Sequence, residues 1–293
     1  MKRTKLFMDT VVDINVVTTK SKEETEAKIN RAFAAFQQVE QACSRFNPES
    51  ELMIASQQVG TPVKIGPLLF EPLKFALEIA RVTDGLFDPT VGKSMEENGF
   101  NRQYLTGNLV NSHSAEAVRY HDIELNEQNH TLLLKKPLII DLGAVAKGFA
   151  IDLAANELKE FPGFVVNAGG DLYAGGVNEK GDPWKIGIQH PYQKEQIIEV
   201  IDISDAAICT SGSYERKNPA RPDVHHIVNP QTKSSPDEWV SSTVIAPFAM
   251  MADGFSTVAF LLDEKKGVGF LEELALKGLL ITPELQIVRV GGI

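Results

Sequence analysis

A chain of 293 residues, 43% hydrophobic and 23% charged, is long enough to bury a core as one large domain or two lobes, and it has none of the composition of a disordered or fibrous protein. Its formal net charge of −10 argues against non-specific binding to nucleic acid or to an anionic membrane. The two cysteines, Cys43 and Cys209, form neither a disulfide framework nor a zinc spacing and read as small core hydrophobes.

In MKRTKLFMDTVVDINVV the basic residues lead into no long apolar run, because Asp9 and Asp13 interrupt it, so neither a signal peptide nor a membrane span is expected there. As it stands the chain reads as cytoplasmic; one trimmed of a leader would read the same and would be exported or lipid-anchored. Residues 6–18, rich in Val and Thr, predict a strand, and residues 22–43 carry Ala, Phe, Val and Ile at helical spacing. A second helix is expected over 67–82, ending in TDGLFDPTVG with its breakers Gly85, Pro89 and Gly92. Residues 120–142 read as a hairpin turning at NEQN, with TLLLKKPLIIDL as its second strand. A helix over 145–161 and strands over 163–166, 184–189 and 199–203 follow. Residues 206–236 read as a polar loop, long enough to belong to a site. Then come a strand in WVSSTVIAP, a helix over 251–263, a helix in GFLEELALKG and a strand in LQIVRV. Strands and helices interleave without strict alternation, which predicts an α+β or mixed α/β fold with antiparallel hairpins. With no repeat and no linker in view, residues 1–293 read as one domain without an internal boundary.

Four segments carry groups suited to chemistry. DLGAVAKGFAID (141–152) is a strand-to-helix corner whose helix start offers N–H groups to an anion, with Lys147 in the first turns; read alone, it is equally a corner with a solvated lysine. VVNAGGDLYAGG (165–176) places two glycine pairs around Asp171, for a close backbone approach to a ligand or for a tight turn; the adjacent Gly169 and Gly170 do not make a Rossmann fingerprint. TSGSYERKNPARPDVHHIVNP (210–230) gathers Ser211, Tyr214, Glu215, Arg216, His225 and His226, and adjacent histidines on a strand point to opposite sides. In ADGFSTVAFLL (252–262), Asp253 and Thr257 are one helical turn apart and offer hard oxygen ligands suited to Mg²⁺, while Asp253 as a helix cap is the simpler alternative.

Taken in order, SRFNPESEL (44–52), TDGLFDPTVG (83–92), DLGAVAKGFAID, VVNAGGDLYAGG, the TSGSYER…HHIVNP loop and ADGFSTVAF resemble the FAD:protein FMN transferases of the ApbE family, over nearly the whole chain. The resemblance implies a two-lobed α+β fold of mixed and antiparallel sheets with flanking helices and FAD in the groove between lobes. It implies a Mg²⁺ site at the Asp253 carboxylate, the Thr257 hydroxyl and the Ala144 carbonyl. It places Lys147 on the flavin nucleotide, Gly169, Gly170 and Asp171 at the adenosine portion, and Ser211, Glu215 and His226 at the diphosphate and adenine end. The reaction implied is transfer of FMN from FAD to a Ser or Thr hydroxyl of an acceptor protein, with release of AMP and with His226 or Asp253 taking the proton. The same residues fit an FAD pyrophosphatase, in which water replaces the acceptor, or a flavin-binding protein with little turnover. The chain departs from the family pattern at Asp9, where MGT is usual, at Asp253-Gly254 in place of Asp-Ala, at Thr232-Lys233 in place of Thr-Gly, and at Ser56, near the place of a usual asparagine.

Overall fold

The computed structural model describes every residue except Tyr104, Leu105, Asn108 and Asn111. In chain order its elements are β1 (Lys2–Phe7), β2 (Thr10–Val17), α1 (Lys22–Cys43), α2 (Glu51–Ser56), β3 (Val63–Lys64), α3 (Pro67–Val82), α4 (Gly92–Glu97), β4 (Ile123–Asn126), β5 (Thr131–Leu134), α5 (Ala146–Leu158), β6 (Gly163–Ala168), β7 (Asp171–Gly176), β8 (Trp184–His190), β9 (Gln193–Ile203), β10 (Ala206–Gly212), β11 (Lys217–Asn218), β12 (Arg221–His225), β13 (Ser241–Ala246), α6 (Ala249–Leu261), α7 (Glu264–Glu273), β14 (Lys277–Ile281) and β15 (Ile287–Val290). They fall into two compact units, Met1–Gln37 with Lys147–Glu215 and Asp237–Ile293, and Gln38–Ala146 with Arg216–Pro236.

The first unit is built on an eight-stranded sheet of order β1-β2-β6-β7-β10-β13-β14-β15, antiparallel throughout. Alternation sets its faces: Val12, Ile14 and Val16 of β2 are fully buried, while Asp13 and Asn15 between them are not. One face, with Leu172, Ile208, Leu279 and Ile281, packs on Ile188, Ile201 and Ile203 of the β8–β9 hairpin. Helix α6 packs on β10 and β13. Its sequence is apolar almost all round, as a helix enclosed in a core must be, and Ala252, Val258, Ala259 and Phe260 have no exposed surface.

The second unit holds α2, α3, α4, the three-stranded sheet β3-β5-β4 and the hairpin β11–β12. Pro67 opens α3, where a missing N–H costs nothing, and Leu69, Leu73, Ala76 and Ala80 form its fully buried stripe.

Four expectations change. The strand expected over 6–18 is a hairpin: Phe7 pairs with Thr10 across Met8 (φ +50°) and Asp9 (φ +59°), a two-residue turn that carries no glycine signal. The strand in TLLLKKPLIIDL ends at Leu134, three residues before Pro137, and Leu138, Ile139 and Ile140 are buried outside any strand. Residues 206–212 are not loop but the strand β10, hydrogen-bonded on both sides, with Ala207, Ile208 and Cys209 fully enclosed. Residues 217–225 form the β11–β12 hairpin. Two departures from the family pattern share a cause: Asp9 and Lys233, each where glycine is usual, both take a left-handed backbone, φ +59°.

Candidate active site

Within the first unit, α5, β7, β10 and α6 bring Lys147, Asp171, Ser211, Asp253 and Thr257 together. Helices α5 and α6 approach so closely at Gly148 that a Cβ there would lie 2.3 Å from the Ala249 carbonyl oxygen. The two Asp152 oxygens accept the N–H groups of Ala249 and Met250, at 2.7 and 2.9 Å, and so cap the N-terminus of α6 from α5. Asp253 is therefore not the cap; it sits one turn inside α6, 4% exposed.

The Lys147 ammonium bridges two buried carboxylates. It bonds Asp171 Oδ2 and lies 3.1 Å from Asp253 Oδ1. The other oxygen of each carboxylate takes a backbone N–H: Thr210 N to Asp171 Oδ1 at 2.7 Å, and Gly148 N to Asp253 Oδ2 at 3.0 Å. Burial opposes the charge on Lys147, but the two carboxylates outweigh it and hold the pKa above the ordinary lysine value. Burial likewise lifts Asp253 to about 7, against the pull of Lys147 and with a further push from Asp171. Cys209, enclosed beside these charges, has its thiol pushed well up by burial, then by Asp171 and Asp253, which makes it unreactive.

Thr257 follows Asp253 by one turn, its Oγ1 3.3 Å from the Asp253 carbonyl oxygen. Ser211, on β10, lies with its hydroxyl 2.8 Å from Ser256 Oγ and 3.0 Å from Thr257 Oγ1. The Gly169-Gly170 pair forms the two-residue turn between β6 and β7, with φ +65° and +104° and with Ala168 paired to Asp171 across it. The turn also passes close to β2: a Cβ on Gly169 would meet Thr10 Oγ1 at 2.3 Å. Glu215 is exposed, three residues past the end of β10.

Ala144 and His226 belong to the second unit. Ala144 lies in a turn where Gly143 N donates to Asp141 Oδ1 at 2.8 Å and Ala146 N to the Leu142 carbonyl at 2.8 Å. The sequence reading gave no role to the residue that fixes this turn. Arg45 of the SRF motif, 4% exposed, donates Nε to Asp141 Oδ2 at 2.5 Å and Nη2 to the Phe100 carbonyl at 2.6 Å, and pairs with Glu96 at 3.4 Å. His226 follows β12, its Nδ1 buried without a hydrogen-bond partner and its ring edge-on to Phe100. Burial, then Arg216 and His225, lower its pKa to about 3, so the ring is neutral near pH 7. His225 turns elsewhere, with its Nε2 2.8 Å from the Pro236 carbonyl.

No cluster of three or more His, Cys, Asp or Glu able to hold a metal occurs among the described residues. Asp253 and Thr257 still fit a hard divalent cation: a buried carboxylate short of neutralising charge already faces an ammonium, and a hydroxyl stands one turn away. Mg²⁺ sites of this kind use one or two carboxylates and draw further oxygens from substrate phosphates.

The fold is that of an ApbE protein: the crystal structure of the ApbE protein from Thermotoga maritima superposes with a TM-score of 0.87 at 27% identity, over 99% of this chain and 96% of that one. The sequence profile of the ApbE family matches residues 8–280, and the chain belongs to this family. Among its relatives are the FAD:protein FMN transferase of Haemophilus influenzae, 30% identical over 87% of this chain and 77% of that protein, and that of Escherichia coli K12, 30% identical over 84% and 74%.

Proposed function

We propose that the chain is a Mg²⁺-dependent FAD:protein FMN transferase, moving FMN from FAD to a Ser or Thr hydroxyl of an acceptor protein and releasing AMP. Membership of the ApbE family supports this reading, and the observation that carries it is the buried Asp253 carboxylate, held beside a cationic Lys147 with the Thr257 hydroxyl one turn on.

Asp253, Thr257 and, by the family resemblance, the Ala144 carbonyl would hold Mg²⁺. When bound, the cation supplies charge neutralisation for the FAD diphosphate. Lys147 adds a fixed positive charge for the phosphates, kept in place by Asp171, whose other oxygen is anchored on Thr210 N. Gly169 and Gly170 let backbone approach the adenosine portion, while Glu215 and His226 serve the diphosphate and adenine end. The acceptor oxygen attacks the FMN phosphorus, the P–O bond to AMP breaks, and the hydroxyl proton passes to the protein. His226 is neutral and so free to accept a proton, but with a pKa of about 3 it is a weak base; burial raises the pKa of Asp253, the other candidate, and a bound cation would oppose that rise.

The test follows AMP from FAD and Mg²⁺ with and without an acceptor protein. Release that needs acceptor and Mg²⁺ and is lost in Asp253→Ala is the expected result. Equal release of AMP and free FMN without acceptor would replace transfer by hydrolysis.

A further inference from the structure

Two hydroxyl groups converge on one carbonyl oxygen, and a third stands against both of them. Ser256 Oγ donates to the Asp253 carbonyl at 2.9 Å and Thr257 Oγ1 to the same oxygen at 3.3 Å. Ser211 Oγ stands against both, 2.8 Å from Ser256 Oγ and 3.0 Å from Thr257 Oγ1. A hydroxyl has one proton and two lone pairs, and a carbonyl only accepts. Once Ser256 and Thr257 spend their protons on the carbonyl, the Ser211 proton is left for one of their oxygens. Thr257 then has a lone pair to spare. A helical threonine otherwise divides between two side-chain rotamers, because its Oγ1 can bond a carbonyl of the preceding turn. Ser211, fixed on β10 by the β13 ladder, removes that freedom.

We propose that Ser211 is a positioning residue that acts through Thr257: its hydroxyl selects the Thr257 rotamer whose free lone pair serves the cation. The proposal rests on the reading of Asp253 and Thr257 as cation ligands, and it gives Ser211 a role on the helix rather than on the FAD phosphates. Ser256, fully buried and bonded to Ser211 and to the Asp253 carbonyl, belongs to the same arrangement.

The experiment titrates Mn²⁺ by electron paramagnetic resonance on the full chain in the presence of FAD. Ser211→Ala should weaken Mn²⁺ binding roughly 10- to 100-fold, the usual effect of losing a partner that orients a ligand. FAD affinity at saturating Mn²⁺, read from flavin fluorescence, should stay within about twofold, and Ser211→Thr should restore the cation affinity. Unchanged Mn²⁺ binding in Ser211→Ala, or FAD affinity that falls even at saturating Mn²⁺, would overturn the proposal. If Ser211→Ala does not fold, Ser211→Cys keeps the volume and removes the strong hydroxyl, with the same two outcomes. Asp253→Ala and Thr257→Val separate the layers: if they too bind Mn²⁺ normally, the cation reading itself fails, whereas if they lose Mn²⁺ and Ser211→Ala does not, only the role of Ser211 fails.

Discussion

Lys147 is the residue on which most of the charge balance depends. Its ammonium partners two carboxylates that have only 6% side-chain exposure each, so Lys147→Met leaves both short of a counter-charge. Breaking a buried pair from one side is expensive, and the variant should lose about 3–5 kcal/mol of stability. It should also be stabilised more by Mg²⁺ than the parent is, because the cation replaces the missing charge; thermal melts with and without Mg²⁺ measure both effects. A variant as stable as its parent, or one indifferent to Mg²⁺, would show that the lysine does not neutralise this pair. His226 makes a pH prediction. Its pKa falls from 6.5 to about 3 on folding, so below pH 6.5 the unfolded chain takes up a proton that the folded chain refuses. Stability contributed by the neutral ring is therefore complete above 6.5 and is lost as pH falls towards 3. Denaturant unfolding of His226→Asn should show a shallower loss over that window; an identical acid limb would mean that the ring is not held neutral.

Among the elements, α6 and the way α5 meets it hold the site residues in place. Gly148→Ala drives a methyl into the Ala249 carbonyl, main chain that cannot swing aside, and pulls Gly148 N from Asp253. The substitution should cost about 1–3 kcal/mol and reduce FMN transfer in the fraction that stays folded; a fully active, fully stable variant would mean that the helices can part there without disturbing Asp253. Helices were the most legible elements, because α1 and α3 each show a stripe of buried residues at helical period. The pairing of Asp253 with Thr257 followed from the same period. Strands hid in two ways. The β1–β2 turn has Met8-Asp9 where glycine would announce a hairpin, and β10 was read by the polar residues that follow it rather than by its own Ala-Ala-Ile-Cys core. Asp152 and Arg45 went unread because their partners, α6 N–H groups and the Asp141 turn, are 97 and 96 residues away in the chain.

Of the candidate residues, Lys147, Gly169, Gly170, Asp171, Ser211, Glu215, Asp253 and Thr257 belong to the first compact unit, and Ala144 and His226 to the second. Spacing could relate residues only within a helix, so the convergence of Lys147 on Asp171 and Asp253, 24 and 106 residues away, was beyond it. Net charge says little of this site, since it does not tell that Lys147 meets two buried carboxylates. No described helix is long and apolar enough to cross a membrane. The most direct measurement is the intact mass of an acceptor protein after incubation with the chain, FAD and Mg²⁺. The account predicts the gain of one FMN per acceptor, mapped to a Ser or Thr, absent when that residue is changed to Ala and absent with Asp253→Ala. An acceptor of unchanged mass beside fully consumed FAD would contradict it.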